Sequence, residues 1–223
     1  MIVGVLGATG ATGRNVIDQL LESKHTVIAF VRHGRITNFD RRVEVRAVDI
    51  FNTASLSAGF ADLEILISTL GGFPGSFSPC GGIKEGYAKV IPHIIQAADF
   101  NNISRLLILG AWFMTDNASS VEPFFTRLGL SLLTNIFEDM EEMRQILLQT
   151  DTAVNWTICC AARLNDGEKT GGDFLVEPGD RIEAFKNEPK GISRKDVARF
   201  LVRAAEDKEL TKSNHLISFC TSE

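Results

Sequence analysis

The sequence predicts an α/β protein, a doubly wound parallel sheet with helices on both faces. Three observations carry that expectation. The chain opens on an apolar strand, Ile2-Val3-Gly4-Val5-Leu6, that runs into Gly7-Ala8-Thr9-Gly10-Ala11-Thr12-Gly13. Strand-like apolar runs then alternate with helix-like segments down the chain, which is the pattern of a parallel sheet covered on both sides. At 223 residues, with 44% hydrophobic and 23% charged residues, the chain has the length and composition of one soluble globular domain.

The elements follow in order. Ile2–Leu6 is the first strand, and Ala11 to about Ser23 is an amphipathic helix. Thr26–Val31 is apolar nearly throughout, as a buried parallel strand is. Val43–Ala47 is a third strand, followed by Asp49 and a short helix from about Thr53. Glu64–Thr69 is the fourth strand, and a Gly/Pro/Ser-rich loop spans Gly71–Gly82. A helix over about Ile83–Phe100 leads to a strand at Arg105–Leu109. A helix ending near Leu148 precedes a sixth strand at Trp156–Cys160. Glycines punctuate 165–191, where a short hairpin is expected around Phe174–Val176. Ser193 is placed to cap a last helix, Lys195–Ala205, and Leu216–Phe219 is a final strand. In the order 3-2-1-4-5-6 such a sheet binds its ligand outside the strand C-termini, where the order reverses.

The spacing G-x-x-G-x-x-G between strand and helix has a specific physical use. The first glycine permits the tight turn, the second lets backbone N–H groups approach a pyrophosphate, and the third lets the helix pack on the strand. The pyrophosphate then sits at a helix N-terminus, where unpaired N–H groups and the dipole favour negative charge. With strand and helix on either side, the motif is that of a Rossmann-like dinucleotide site. About 20 residues past the glycines an NAD-preferring site carries Asp or Glu. This chain has Arg32 there, with Arg35, Arg41 and Arg42 nearby. A guanidinium grips a 2′-phosphate that an acid would repel, so NADP(H) is the expected cofactor.

Composition excludes some classes of partner. A net charge of −5 argues against nucleic acid or an anionic membrane. No apolar run approaches the ~20 residues of a spanning helix, and no leader is expected because the first residues already read as strand and loop. Cys80, Cys159, Cys160 and Cys220 show no metal-ligand spacing, so no metal is assigned. Cys159 and Cys160 read as small core residues within a strand, and free thiols in a domain of this size suggest a cytoplasmic home. His25, His33, His93 and His215 belong to no catalytic constellation.

The motif GATGATG, the Phe30-Val31-Arg32 that ends the second strand and the Asp49 after the third resemble the atypical short-chain dehydrogenase/reductase superfamily. Asn155-Trp156-Thr157-Ile158, Ala162-Arg163-Leu164-Asn165-Asp166, Thr170-Gly171 and Ile192-Ser193-Arg194-Lys195-Asp196-Val197-Ala198 resemble its NAD(P)H-binding subgroup, which includes biliverdin-IXβ and flavin reductases. The resemblance spans nearly the whole chain. It implies that Gly7, Thr9, Gly10, Ala11, Thr12 and Gly13 hold the pyrophosphate and that Arg32 takes the 2′-phosphate. Asp49 and Ile50 would flank the adenine, and Leu70, Gly71 and Gly72 would lie beside the ribose. Gly110, Ala111 and Trp112 follow strand five. Cys160, Ala161, Ala162 and Arg163 follow strand six, near the nicotinamide.

The chain departs from the family in its catalytic positions. Short-chain dehydrogenases carry Tyr-x-x-x-Lys on the helix before strand six. Here that helix reads Glu138-Asp139-Met140-Glu141-Glu142-Met143-Arg144, and the single tyrosine, Tyr87, lies one helix earlier, where it reads as a packing residue. The serine that reductase relatives place after strand five is Ala111, and the histidine of biliverdin-IXβ reductases is Arg163. No catalytic residue is therefore assigned. An alcohol/ketone dehydrogenase, which needs a proton donor, fits poorly. Hydride delivery to an electron-poor ring needs mainly alignment, so the expected reaction is NADPH-dependent reduction of a planar acceptor: a flavin, a quinone or a biliverdin-like ring. The alternative is a non-catalytic NADP(H)-binding sensor.

The expected acceptor pocket is formed by loops 71–82, 110–130 and 161–191. Phe73, Phe77, Trp112 and Phe113, with Met114, Phe124 and Phe125, either stack on a planar ring or pack beneath long loops. Arg163 has two readings, an anchor for substrate or cofactor and a structural ion pair. The expected partner is a small planar molecule, and the expected state is a monomer or weak homo-oligomer.

Overall fold

The computed structural model describes residues 1–34, 38–71, 86–111, 134–161, 164–178, 191–207 and 215–221. The chain begins with β1 (Ile2–Leu6), α1 (Ala11–Glu22), β2 (Thr26–Val31), β3 (Val43–Ala47), α2 (Thr53–Gly59) and β4 (Ile65–Ser68). It continues through α3 (Tyr87–Phe100), β5 (Arg105–Ala111), α4 (Thr134–Gln149) and β6 (Asn155–Ala161). β7 (Leu164–Asn165), β8 (Phe174–Pro178), β9 (Ile192–Ser193), α5 (Arg194–Glu206) and β10 (His215–Thr221) complete it.

Eight strands form one sheet in the order β3-β2-β1-β4-β5-β6-β10-β8, and β7 and β9 form a separate two-stranded pair. The first six strands follow the order expected from the sequence. Every pair in the large sheet is parallel except β10–β8. The chain reverses its direction of travel across the sheet between β1 and β4, which are hydrogen-bonded neighbours. The crevice beyond their C-terminal ends is where an open α/β sheet takes its ligand.

Strand alternation divides the core in two. On one face Val3, Val5, Ala29, Ile67 and Leu107 pack against Val16, Ile17 and Leu20 of α1 and Phe200 and Leu201 of α5. On the other, Ile28, Leu66, Leu106 and Ile158 pack against Ile91 and Ile94 of α3 and Met140, Met143 and Leu147 of α4. Cys159 and Cys160 are both fully buried and point to opposite cores. They act as small core residues, and burial pushes the Cys159 thiol up to about 12, so it stays protonated and inert.

Two elements differ from the sequence expectation. Phe174–Val176 does not fold back on an adjacent strand as a local hairpin. Residues Phe174–Pro178 pair antiparallel with β10, Phe174 opposite Thr221, at the edge of the sheet. The driving contact is apolar: the Phe174 ring packs edge-on against Phe200 (5.2 Å) and Phe219 (6.2 Å). α3 is described from Tyr87, four residues after the expected start at Ile83. Residues 83–85 lie outside the described residues. Gly86, with φ of 150°, stands at its N-cap.

Candidate functional site

The site is built where β1 ends. Gly7 has φ of 75°, and its carbonyl accepts the Gly10 N–H at 2.9 Å, closing a tight turn before α1. A Cβ on Gly7 would lie 2.5 Å from the Thr69 carbonyl oxygen, and one on Gly13 would lie 2.3 Å from the Gly7 carbonyl oxygen. Both distances are forbidden to any side chain, so the loop packs as three layers of bare backbone. Thr69 fastens it from the other side: its N–H and its Oγ1 both donate to the Leu6 carbonyl, at 2.9 and 3.0 Å. Sequence reading passes over Thr69, although a hydroxyl residue closing a central strand beside a glycine loop is a readable signal.

The electrostatics of the helix ends single out α1. α2 is capped by Asn52, whose side chain accepts the Ser55 N–H. α3 is capped from a distance by Asp139. α5 is capped by Ser193, whose hydroxyl accepts the Asp196 N–H. α1 alone among these four has neither a side-chain cap nor an acid in its first turn. Gly10 and Ala11 at its tip are exposed, Thr9 is half-exposed, and Thr12 and Gly13 are buried. A helix N-terminus left bare over a glycine turn is an anion site. The glycines let the turn and α1 pack backbone to backbone and set the exposed Gly10–Ala11 tip of α1 at the end of β1, so the residues fit the pyrophosphate of a dinucleotide.

The other predicted positions fall along the same strand ends. Arg32 follows β2 directly and is exposed. Asp49 lies in the turn between β3 and α2, where its Oδ1 accepts the Phe51 N–H at 3.0 Å and its own N–H donates to Ser55 Oγ at 3.0 Å. Ile50 is half-buried against the core. Leu70 is half-exposed and Gly71 exposed, just past β4. Gly110 and Ala111 end β5 opposite Cys160 and Ala161, which end β6. The side chain of Cys160 faces the core, so at this end of the sheet β6 offers its backbone. Gly72, Phe73, Phe77, Trp112, Phe113, Ala162 and Arg163 lie outside the described residues, as do Met114, Phe124 and Phe125.

α4 holds the place where short-chain dehydrogenases carry Tyr-x-x-x-Lys, and three of its charged residues, Asp139, Glu141 and Arg144, are in structural contacts. Asp139 accepts N–H groups of α3. Glu141 pairs with Arg144 at 2.6 and 2.7 Å and also accepts from Gln145. Burial would raise the Glu141 carboxyl, but these partners hold it below the ordinary value. Tyr87 is buried, as expected for a packing residue. Its side chain, with Ser68, Leu70, Ile108 and Met143, lines a small apolar crevice at the ends of β4 and β5. Among the described residues no helix is long and apolar enough to cross a membrane, and no cluster of His, Cys, Asp or Glu could hold a metal.

Known proteins share this architecture. A candidate NADH-flavin reductase from Streptococcus pneumoniae superposes with a TM-score of 0.74 at 20% identity, over 100% of both chains. A short-chain dehydrogenase/reductase from Veillonella parvula, solved in complex with NADP, superposes with a TM-score of 0.73 at 17% identity, over 99% of this chain and 94% of that one. At these identities the likeness is one of fold. An isoflavone reductase homolog from Nicotiana tabacum is 21% identical over 95% of this chain, which spans 66% of that relative's length. Residues 7–208 match the profile described as NAD(P)H-binding, from the first glycine of the loop to just past α5, and the chain belongs to that NAD(P)H-binding family.

Proposed function

We propose that the protein is an NADPH-dependent reductase that delivers hydride to a planar acceptor: a flavin, a quinone or a biliverdin-like ring. The observation that carries this reading is the bare N-terminus of α1 over the glycine turn, the single uncapped end among the four helices whose N-termini are described with their caps. The loop from Gly7 to Gly13 binds the pyrophosphate through backbone N–H groups. Arg32 takes the 2′-phosphate, and the absence of an acid at that strand end favours NADPH over NADH. Asp49 and Ile50 border the adenine. Leu70, Gly71 and Gly72, with Gly110, Ala111, Cys160, Ala161, Ala162 and Arg163, border the ribose and nicotinamide.

The bound cofactor supplies the hydride. The chain's part is alignment of the two rings and exclusion of water, and the proton comes from solvent. Phe73, Phe77, Trp112, Phe113 and Arg163, from loops 71–82, 110–130 and 161–191, are assigned to the acceptor. The plant relative is named for isoflavone reductase and the streptococcal one for flavin reduction, two planar ring systems. Buried free thiols agree with a reducing, cytoplasmic setting. The protein acts as a monomer or a weak homo-oligomer.

A second reading rests on α4. With Asp139, Glu141 and Arg144 engaged in structural contacts, a non-catalytic NADP(H) sensor is also consistent. The rate of NADPH oxidation against FMN, riboflavin, a quinone and biliverdin, with enzyme-free blanks, separates the two. The reductase reading expects a saturable rate with one of these acceptors. Tight NADPH binding with no rate above the blanks would replace it with the sensor.

A further inference from the structure

β3 is the outer strand of the large sheet, and half of its backbone points away from that sheet. Just past the strand, the Val48 N–H donates to the Val31 carbonyl of β2 at 2.8 Å. Backbone groups change sides from one residue to the next along a strand. Those of Glu44 and Arg46 therefore face β2 as well, and those of Val43, Val45 and Ala47 face outward. The Val43 N–H is taken by the Asp40 carbonyl at 2.9 Å. The N–H groups of Val45 and Ala47, and the carbonyls of all three residues, have no hydrogen-bond partner among the described residues. Such a row of open donors and acceptors is a template for another strand. Val45, at its centre, is 44% exposed.

The charges on this strand complement a second copy of it. Glu44 and Arg46 share one face and pair at 2.7 Å. Arg46 is held in place, because its Nη1 also donates to the Gly59 and Ala61 carbonyls at 2.8 and 2.7 Å. In an antiparallel pairing about a two-fold axis at Val45, each Glu44 stands opposite the other copy's Arg46. These are non-hydrogen-bonded positions, where side chains come closest, and the four charges alternate in sign. The same axis matches the open backbone groups: Val45 N–H meets the other Val45 carbonyl, and Ala47 N–H meets the other Val43 carbonyl, each twice. Moving the axis to Glu44 sets Glu44 against Glu44, and moving it to Arg46 sets Arg46 against Arg46. Like charges directly opposite are unfavourable, so one register is selected. Around it Asp40, Glu44 and Asp49 balance Arg41, Arg42 and Arg46, which leaves this edge neutral on a chain of net charge −5. The opposite edge, β8, follows Asp173 and carries Glu177 and Pro178, features that shield an edge from pairing.

We infer that the protein dimerises with a second copy of itself through β3, the two strands pairing antiparallel about Val45 into one continuous sheet. The partner is a second copy because the same two residues, Glu44 and Arg46, supply both halves of the charge pattern. Such an interface is isologous and closes on itself, as a two-fold dimer requires. The strand is five residues long, so the contact is small and the dimer weak, with a Kd on the order of 10–100 µM. The inference stands apart from the reductase reading, since it uses no residue of the acceptor pocket and no property of the cofactor.

The test is sedimentation velocity on the full chain from about 1 µM to about 500 µM, a range that brackets this Kd, with circular dichroism to show each variant folded. Wild type should move from 24.5 kDa toward twice that mass as concentration rises. Glu44→Arg puts like charges across the axis and should weaken association by about tenfold or more. Val45→Pro removes the N–H at the axis, at a position where an edge strand accepts proline, and should leave a monomer. Glu177→Arg makes the same charge change on the other edge and should leave the mass as in wild type. Register is read with Val45→Cys under mild oxidation. Paired Cα atoms at the axis would stand about 5.5 Å apart, within disulfide reach, so this variant should give a covalent dimer and Glu177→Cys should not. If Val45→Pro does not fold, Glu44→Arg and the two cysteine variants decide. A monomer across the whole range would overturn the inference and leave the β3 edge to a different protein or to none. A dimer indifferent to Glu44→Arg and Val45→Pro would overturn it by placing the contact elsewhere.

Discussion

Gly13 and Gly7 meet so closely that a Cβ on the first would sit 2.3 Å from the carbonyl oxygen of the second. The neighbour is backbone and cannot swing aside, so the contact fixes both residue type and loop shape. Gly13→Ala is expected to destabilise the fold by about 1–3 kcal/mol, the usual cost of overpacking, and to weaken NADPH at least about tenfold by displacing the turn from α1. Gly171→Ala is the control, because nothing lies within 4 Å of a Cβ there, and it should stay within about 0.5 kcal/mol of wild type. Urea melts and NADPH titrations of the two variants check this. Equal effects would contradict the packing argument.

Asp196 anchors the turn before α5. Fully buried, it accepts the Thr170 N–H at 3.0 Å and the Ser193 hydroxyl at 2.7 Å, and it lies 3.2 Å from Arg199. Burial would raise its carboxyl, but these partners outweigh burial and hold it below 3.8. A carboxylate with a depressed folded value stabilises the fold above the unfolded value and loses that contribution as pH falls through the folded one. Wild type should therefore lose stability below about pH 4, a loss that Asp196→Asn lessens. At pH 7, Asp196→Ala should cost about 3 kcal/mol, because it leaves the Thr170 N–H without its acceptor and removes the carboxylate paired with Arg199. Denaturant midpoints across pH measure both effects, and a midpoint for the alanine variant matching wild type at pH 7 would refute the anchoring role.

Much of this architecture is legible in the sequence because its cause is local. β1, β2 and β3 have the bounds that apolar runs and flanking turn residues imply. The glycine loop and the Ser193 cap are readable because spacing alone dictates their geometry. What escapes has a non-local cause. β8 finds its partner in β10, some forty residues on, and no periodicity names a partner. Asp139 reads as one acid on an acidic helix, and its role exists only because α3 and α4 pack together. Thr69 matters through its contact with Leu6, 63 positions away. The end of α1 is a mixed case. The helix closes with a Schellman arrangement, in which His25 N–H donates to Leu20 O and Lys24 N–H to Leu21 O. It does so with lysine at the position that glycine usually takes.

That lysine makes a stability prediction. Lys24 has φ of 61°, a left-handed conformation that costs an L-residue roughly 1–2 kcal/mol. Glycine removes the strain but adds unfolded-chain entropy of about 0.4–1 kcal/mol. Lys24→Gly should therefore raise stability by about 0.5–1 kcal/mol, or Tm by roughly 1–3 °C for a chain of this size. Differential scanning calorimetry reads the shift, and a lower Tm would show that the lysine side chain stabilises more than its backbone costs.

The central claim is that the bare end of α1 and Arg32 together form a site for a 2′-phosphorylated dinucleotide. Its most direct test is calorimetric titration of wild type and Arg32→Asp with NADPH and NADH under the same salt. The account predicts that wild type binds NADPH more tightly than NADH. The variant should lose about 10- to 150-fold for NADPH, the worth of one charged hydrogen-bonding group, while its NADH affinity changes little. Equal losses for both cofactors, or a wild type that prefers NADH, would contradict it.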